Sequence, residues 1–188
     1  MYLLNEDSLL TIDEYLAAEA QSEIKHEYIG GQVYAMSGAS RNHNLIALNI
    51  ATSIRTHLRG SNCRGFISDM KVKIESKTSN LFYYPDVVVT CNPQDNQKFF
   101  LTDPCLVIEV LSPSTESIDR REKWLEYQNL SSLQEYVLVS QSEMKVEIYR
   151  RDDTGKWSIK TLVENDSLEL RSIDLTIPTS LIYEDVDN

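Results

Sequence analysis

Cysteine and histidine are scarce in this sequence, and neither is spaced for disulfide or metal chemistry. Cys63, Cys91 and Cys105 are odd in number, far apart and never in a CxxC pair, a pattern that argues against a disulfide framework and a zinc site and reads as three buried thiols. His26, His43 and His57 have no HExxH spacing and no partner cysteine pair. Absent too are a GxSxG element, a GxxxxGK[ST] loop and a GxGxxG turn, so serine hydrolase, P-loop and dinucleotide readings have no local warrant. With 6 glycines and 5 prolines in 188 residues, no segment has the composition of a linker or a low-complexity tract. A single domain over residues 1–188 is the expectation for this length. No apolar run approaches the roughly 18 residues of a membrane span, and MYLLNEDSLLTIDEY is acidic where a secretory leader is basic, so a cytoplasmic location and no membrane contact are expected.

Positive charge is also in short supply: 18 lysines and arginines face 29 acidic residues, for a net −11. That balance counts against a nucleic-acid partner, because phosphate binding rests on lysine and arginine. The distribution tempers it. Residues 1–36 and 134–188 each sum to −6, whereas residues 41–77 sum to +5, from Arg41, Arg55, Arg59, Arg64, Lys71, Lys73 and Lys77 against Asp69 and Glu75. This basic centre is either a solvated surface or a stripe facing a polyanion.

What the chain does have is clear alternation of helix and strand signals. Thr11 and Glu14 form a capping-box pattern ahead of a helix over residues 12–24, ending near His26. EYIGGQVYAM reads as a β-hairpin turning at Gly30-Gly31. Residues 41–59 carry Ala47, Ile50, Ile54 and Leu58 on one helical face, closed by Gly60. RGFISDMKVKIE, YYPDVVVT and CLVIEVLS follow as three β-rich segments, the last two so apolar that they suit central strands buried on both faces. SPSTES supplies N-caps for a helix over residues 118–130. EYVLVS, KVEIYRR and WSIKTLVE then read as strands, with DDTGK a turn. The order implies a mixed sheet with helices packed on it.

Two carboxylates stand out because they lie in apolar strand segments. Asp86 would share a strand face with Val88 and Thr90, and Glu109 with Val107 and Leu111. A buried carboxylate must be paired, protonated or bound to a cation. On neighbouring strands the two could converge on one Mg²⁺; equally, Asp86 could end a turn begun at Pro85 while Glu109 pairs with a basic side chain. Asp119, Lys123 and Tyr127 recur at steps of four on the next helix, so Lys123 either points back at the sheet or forms a surface pair with Asp119. Paired carboxylates also leave acid–base hydrolysis of a non-nucleic substrate open.

YYPDVVVT, VIEVLSPST and DRREKWLEYQNLSSLQEYVLVS, with HEYIGGQVYAMSGASRNHNLI upstream, cover most of residues 10–150. Together they resemble the Uma family of restriction-endonuclease-like bacterial proteins, a branch of the PD-(D/E)XK nuclease superfamily. The resemblance implies an α/β (α+β) fold with a restriction-endonuclease-like core, a mixed central sheet flanked by helices. It implies Mg²⁺-dependent hydrolysis of DNA phosphodiester bonds, with Mn²⁺ able to substitute. Asp86 and Glu109 would hold the metal. Leu111 stands where the superfamily motif has lysine, and Lys123 is the matching family position on the next helix. Tyr127 belongs to the same helix motif. Glu27 would complete the acidic cluster or fix a ligand, and His43 would hydrogen-bond phosphate or a ligand carboxylate. Asp69 and Lys71 are weaker candidates, read as charges at a sheet edge. DNA as partner and a homodimer, two sites for two strands, are the further implications. The alternative is a non-catalytic nucleic-acid- or protein-binding module on the same fold.

Overall fold

The computed structural model describes residues 9–76 and 79–187; Lys77 of the basic stretch and residues 1–8 of the acidic N-terminal segment lie outside it. Helix α1 spans Ile12–Glu19 and its capping box is complete: Thr11 Oγ1 accepts from Glu14 N at 3.3 Å and Glu14 Oε2 accepts from Thr11 N at 2.8 Å. The helix ends before residue 24, earlier than the pattern predicts. Glu19 turns inward to accept from His26 N at 2.9 Å, and Ser22 exchanges hydrogen bonds with Ile24, so side chains take the partners that further helical turns would need.

Strands β1 (His26–Ile29) and β2 (Gln32–Ala35) pair as the expected hairpin, with Gly30 and Gly31 at φ +58° and +104°, where a side chain would be strained. Helix α2 (Arg41–His57) is capped by Ser40 Oγ, which accepts from His43 N at 3.1 Å. It buries Ile46, Ile50, Ile54 and the following Leu58, while Ala47 is half-buried beside them.

The segment read as one strand over residues 64–75 divides. Strand β3 (Arg64–Ile67) and strand β4 (Lys71–Glu75) belong to different sheets, separated at Ser68, which turns the chain at φ +44°. Strands β5 (Asn80–Tyr83) and β6 (Val87–Thr90) likewise part around Pro85, so Asp86 stands just before a strand rather than inside one. Strands β7 (Phe100–Leu101) and β8 (Leu106–Leu111) follow.

Beyond β8 the predicted helix forms in three pieces. Short α-helices α3 (Glu116–Ile118) and α4 (Trp124–Tyr127) flank a π-helical turn over Asp119–Lys123. Strands β9 (Glu135–Ser140), β10 (Val146–Arg151), β11 (Trp157–Leu162), β12 (Ser167–Leu170) and β13 (Leu175–Pro178) come next, then the one-turn helix α5 (Thr179–Ile182).

The larger sheet has the order β11-β10-β9-β8-β6-β3, and a five-stranded sheet has the order β2-β1-β5-β4-β7. Strands β8 and β9 are parallel and are joined through the helical segment, since a parallel pair requires a crossover; β6 and β8 are antiparallel. The sheet is therefore mixed and flanked by helices, the α+β arrangement expected. All residues of β6, β8 and β9 are buried, which explains their nearly continuous apolar sequences. On one face, α2 and the C-terminal segment pack on Val87, Val89, Leu106, Ile108 and Val110. On the other, Val88, Val107 and Leu111 meet Tyr83, Tyr127 and Tyr136. Glu109 shares its strand face with Val107 and Leu111 and so points into this second layer.

One sequence expectation is overturned outright. Cys63 and Cys91 form a disulfide, and only Cys105 is a buried free thiol, its pKa pushed up to about 11, chiefly by burial. The pairing follows from register: Arg64 lies opposite Thr90 in the β3–β6 ladder, so the residues just outside that pair face each other. No spacing rule along the chain contains that register. In a reducing compartment the pair would stand as two thiols across the ladder.

Candidate active site

Asp86 and Glu109 meet across the β6–β8 ladder. Val87 pairs with Ile108, so the residues one step outward are opposite each other. Asp86 N donates to Glu109 Oε2 at 3.3 Å, and Asp86 Oδ2 accepts from Val110 N at 2.7 Å. The aspartate thus ties the chain just before β6 to Glu109 with its backbone and to the C-terminal part of β8 with its side chain.

The helical segment after β8 supplies the other half. Asp119, Lys123 and Tyr127 all face inward, as their spacing predicts, but the Asp119–Lys123 pair is buried rather than on the surface. Lys123 Nζ lies 3.0 Å from Glu27 Oε1 on β1, 3.2 Å from Asp119 Oδ1 and 3.3 Å from Glu109 Oε1. It also lies 5.4 Å from the centroid of the Tyr83 ring. Asp119 Oδ1 is near enough for an ion pair, yet it has no aligned hydrogen-bond donor among the described residues, and neither does the buried Tyr127 hydroxyl. The Tyr127 ring instead packs against Tyr83 and Tyr136, at 5.7 and 5.2 Å between centroids.

His43, in the first turn of α2, brings its Nε2 within 3.2 Å of Asp86 Oδ2. The cluster therefore runs from His43 and Asp86, with side chains 13% and 19% exposed, to Glu109, Asp119 and Lys123, at 4%, 3% and 7%. The first pair forms the end that a ligand can reach.

The electrostatics follow from that burial. Desolvation pushes the Glu109 carboxyl well above the ordinary glutamate range, only partly offset by the Lys123 charge, and Asp119, Asp86 and Glu27 push it further up. Burial also disfavours the Lys123 ammonium, but Glu109, Glu27 and Asp119 outweigh it and hold the amine firmly charged. For His43, burial works against the charged form, while the hydrogen bond to Asp86 and its charge prevail and raise the pKa.

A raised folded-state pKa means that His43 contributes stability fully present below its unfolded value, near 6.5, and lost as pH climbs through the folded value. The urea-unfolding free energy of the wild type minus that of His43→Asn is therefore expected to shrink as pH rises above about 6.5. A difference that stays flat or grows would exclude a charged His43 on Asp86.

The six residues singled out from the sequence, Glu27, His43, Asp86, Glu109, Lys123 and Tyr127, thus lie together at the seam between the two sheets. Asp69 and Lys71 do not join them. Asp69 is exposed in the turn after β3, paired with Lys25 Nζ at 2.7 Å. Lys71 is buried, not a sheet-edge charge: its Nζ donates to Tyr84 Oη at 3.1 Å, and Tyr84 Oη donates to Glu19 Oε1 at 2.8 Å. Sequence reading missed Glu19, whose only local signal is an acidic side chain at the end of a short helix.

Among the described residues, no group of three or more histidine, cysteine, aspartate or glutamate side chains is placed to hold a metal. The adjoining pair of Asp86 and Glu109 is a donor set for a hard cation that takes one or two carboxylates and keeps its waters, as Mg²⁺ does; it does not suit zinc. Asp86 Oδ1, at the reachable end, makes no hydrogen bond among the described residues.

The comparisons with known proteins agree with this architecture. A crystal structure of a "putative nuclease belonging to DUF820" from Anabaena variabilis superposes with a TM-score of 0.75, covering 93% of this chain and 97% of that one, at 19% identity. At that identity the match speaks for the fold alone. Two relatives from Synechocystis sp. are closer in sequence. The uncharacterized protein slr1290 is 43% identical over 175 residues, 93% of this chain and 91% of its own length, and the uncharacterized protein sll1609 is 33% identical over 173 residues, 90% and 97% respectively. The family model described as "Uma2: Putative restriction endonuclease" matches residues 12–180. On that match, spanning the two large sheets and every residue of the cluster, the chain belongs to the Uma2 family.

Proposed function

We propose that this protein is a Mg²⁺-dependent endonuclease that hydrolyses DNA phosphodiester bonds, with Mn²⁺ able to replace Mg²⁺. The observation that carries the reading is the meeting of Asp86 and Glu109 across the ladder, with the Lys123 ammonium on the far oxygen of Glu109. The family description supports a nuclease of some kind; the metal, the DNA and the residue roles are inferences from chemistry.

Asp86 and Glu109 would hold the ion, which when bound activates a water and polarises the scissile phosphate. Lys123 balances the acid cluster and orients Glu109, so that two carboxylates can face one cation. It takes the electrostatic part that a lysine at position 111 would play, and Leu111 is buried in the apolar layer. Glu27 and Asp119 fix the ammonium. His43, its charged form favoured by Asp86, orients that carboxylate and offers a donor at the end where a phosphate arrives. Tyr127 packs the floor of the cluster. Cutting both strands of a duplex calls for two such sites, hence a homodimer.

The test is a titration of Mn²⁺ and Mg²⁺ into the wild type and Asp86→Asn, following thermal stability with and without a DNA duplex. Asparagine keeps an acceptor for Val110 N, so the fold should hold. At a metal concentration of 100 times its Kd the wild type should gain about 2.7 kcal/mol and the variant close to nothing. If neither protein responds, even with DNA present, the metal-dependent mechanism fails. A second reading then takes its place: a non-catalytic binding module whose Lys123 is consumed in neutralising three carboxylates.

A further inference from the structure

Helix α2 carries a second feature besides its buried isoleucines. His43, Ala47, Ala51 and Arg55 recur every four residues along one stripe, which Arg59 continues just past the helix end. Two alanines in mid-stripe leave a trough. Gly65 on β3 lets the helix lie close: a Cβ there would come within 3.2 Å of Ile54 Cγ2. Between the helix and the β3–β4 turn is a cleft of about 560 Å³, lined by Ala51, Arg55, Arg59, Phe66, Met70 and Val87 among others. It adjoins the cluster, because Val87 directly follows Asp86 and Ser68 N, in the same turn, donates to Asp86 O at 3.1 Å.

The charge at this cleft differs from that of the rest of the molecule. The chain is net −11, and several of its arginines are neutralised: Arg41 by Asp187, Arg120 by Glu116 and Glu147, Arg150 by Glu135, Arg171 by Glu169. Arg55 and Arg59 are exposed and make no hydrogen bond or ion pair among the described residues. The acid at the cleft, Asp69, is already held by Lys25. A free inorganic anion would need the two guanidinium groups but not an apolar floor. A nucleotide unit, anionic along one edge and apolar along its base and sugar, fits both.

We propose that this cleft seats the DNA strand leading away from the scissile phosphate, with Arg55 and Arg59 on its phosphates and the sugar–base edge against the apolar floor. The proposal rests on the nuclease reading and adds the path of the substrate to it. Guanidinium groups suit the role, since they are always charged and present paired donors to phosphate oxygens.

The test measures binding of fluorescent single-stranded and duplex DNA to the full chain with Ca²⁺, over a range of salt. Four proteins are compared: the wild type, Arg55→Ala/Arg59→Ala, Arg55→Lys/Arg59→Lys, and a control, Lys156→Ala/Lys160→Ala. The control residues lie at the opposite edge of the sheet order from β3. The double alanine variant is expected to bind at least about tenfold more weakly, and its slope of log affinity against log salt should fall by about two, one per lost phosphate contact. The lysine variant should keep most of the slope and the control should match the wild type. If the wild type binds DNA and the alanine variant has the same affinity and slope, the cleft is not the path, and the nuclease reading stands. Weaker binding with an unchanged slope would mean that the arginines act through the fold and would also overturn the proposal. A wild type that binds neither DNA form would remove the nuclease reading itself, and the cleft with it.

Discussion

Replacing Lys123 with methionine is expected to cost about 3–5 kcal/mol of folding stability near neutral pH, and to abolish any cleavage. The ion pairs of Glu27, Glu109 and Asp119 all run to this one ammonium. Methionine fills a similar volume but leaves three carboxylates facing each other in a largely dry site, and an uncompensated buried charge is among the costliest defects that one substitution can create. The pH dependence separates this cause from simple mispacking. Without the ammonium, Glu109, already raised by burial, is pushed up further. Carboxyls whose folded pKa lies above the unfolded value favour the folded state below the unfolded value, near 4.5, and withdraw that support as pH rises through the folded one. The gap between wild type and variant should therefore be widest above neutrality and close as pH falls toward about 4.5. Urea unfolding over that range checks it. A gap under about 1 kcal/mol at pH 8 would mean that the cluster does not depend on Lys123 for its charge balance.

Glu135→Ala is expected to destabilise the protein by a comparable amount, about 3–5 kcal/mol, for a different reason. Its carboxylate is as buried as that of Glu109 but fully engaged. One oxygen accepts from Arg150 Nε at 2.9 Å and Arg171 N at 3.1 Å; the other accepts from Ser172 N at 2.9 Å and Ser172 Oγ at 2.6 Å. This side chain ties the start of β9 to β10 and to the turn after β12, and its removal takes the carboxylate from Arg150, which keeps its bond to Glu169 O, and leaves two backbone donors without an acceptor. The folded fraction should still respond to Mn²⁺ as the wild type does, because Glu135 contributes nothing to the pair at Asp86 and Glu109. A variant that loses the metal response while still folded would contradict that division between a structural and a site glutamate.

These two glutamates show how far the sequence could be read. Glu109 lies within a strongly apolar strand segment and its burial follows from that alone, whereas Glu135 is the first residue of its strand and its burial does not. Which one is saturated by hydrogen bonds and which has an ammonium as its counter-charge depends on segments distant along the chain: the 171–172 turn for Glu135, β1 and the π-helical turn for Glu109. Lys123 is a similar case. A lysine four residues after an aspartate is compatible with a surface pair or a buried one, and the packing of Tyr127, on the same helical segment, against Tyr83 and Tyr136 decides it.

By itself the sequence determined the hairpin at Gly30-Gly31, the cap at Thr11, the one-sided helix α2 and the doubly buried strands β6 and β8. It also carried the family resemblance and the residues of the cluster. All of these are written in short-range chemistry: the dihedral freedom of glycine, a side chain bonding a backbone group three residues on, and apolar spacing of two or about 3.6. The tertiary structure decided the division of residues 64–75 between two sheets, the early end of α1, the bond between Cys63 and Cys91, the separate cluster around Lys71 and the cleft beside Arg55 and Arg59. Each of these depends on strand register or on which layers face each other, and such contacts are fixed by the free energy of the whole packed chain rather than by any window of sequence.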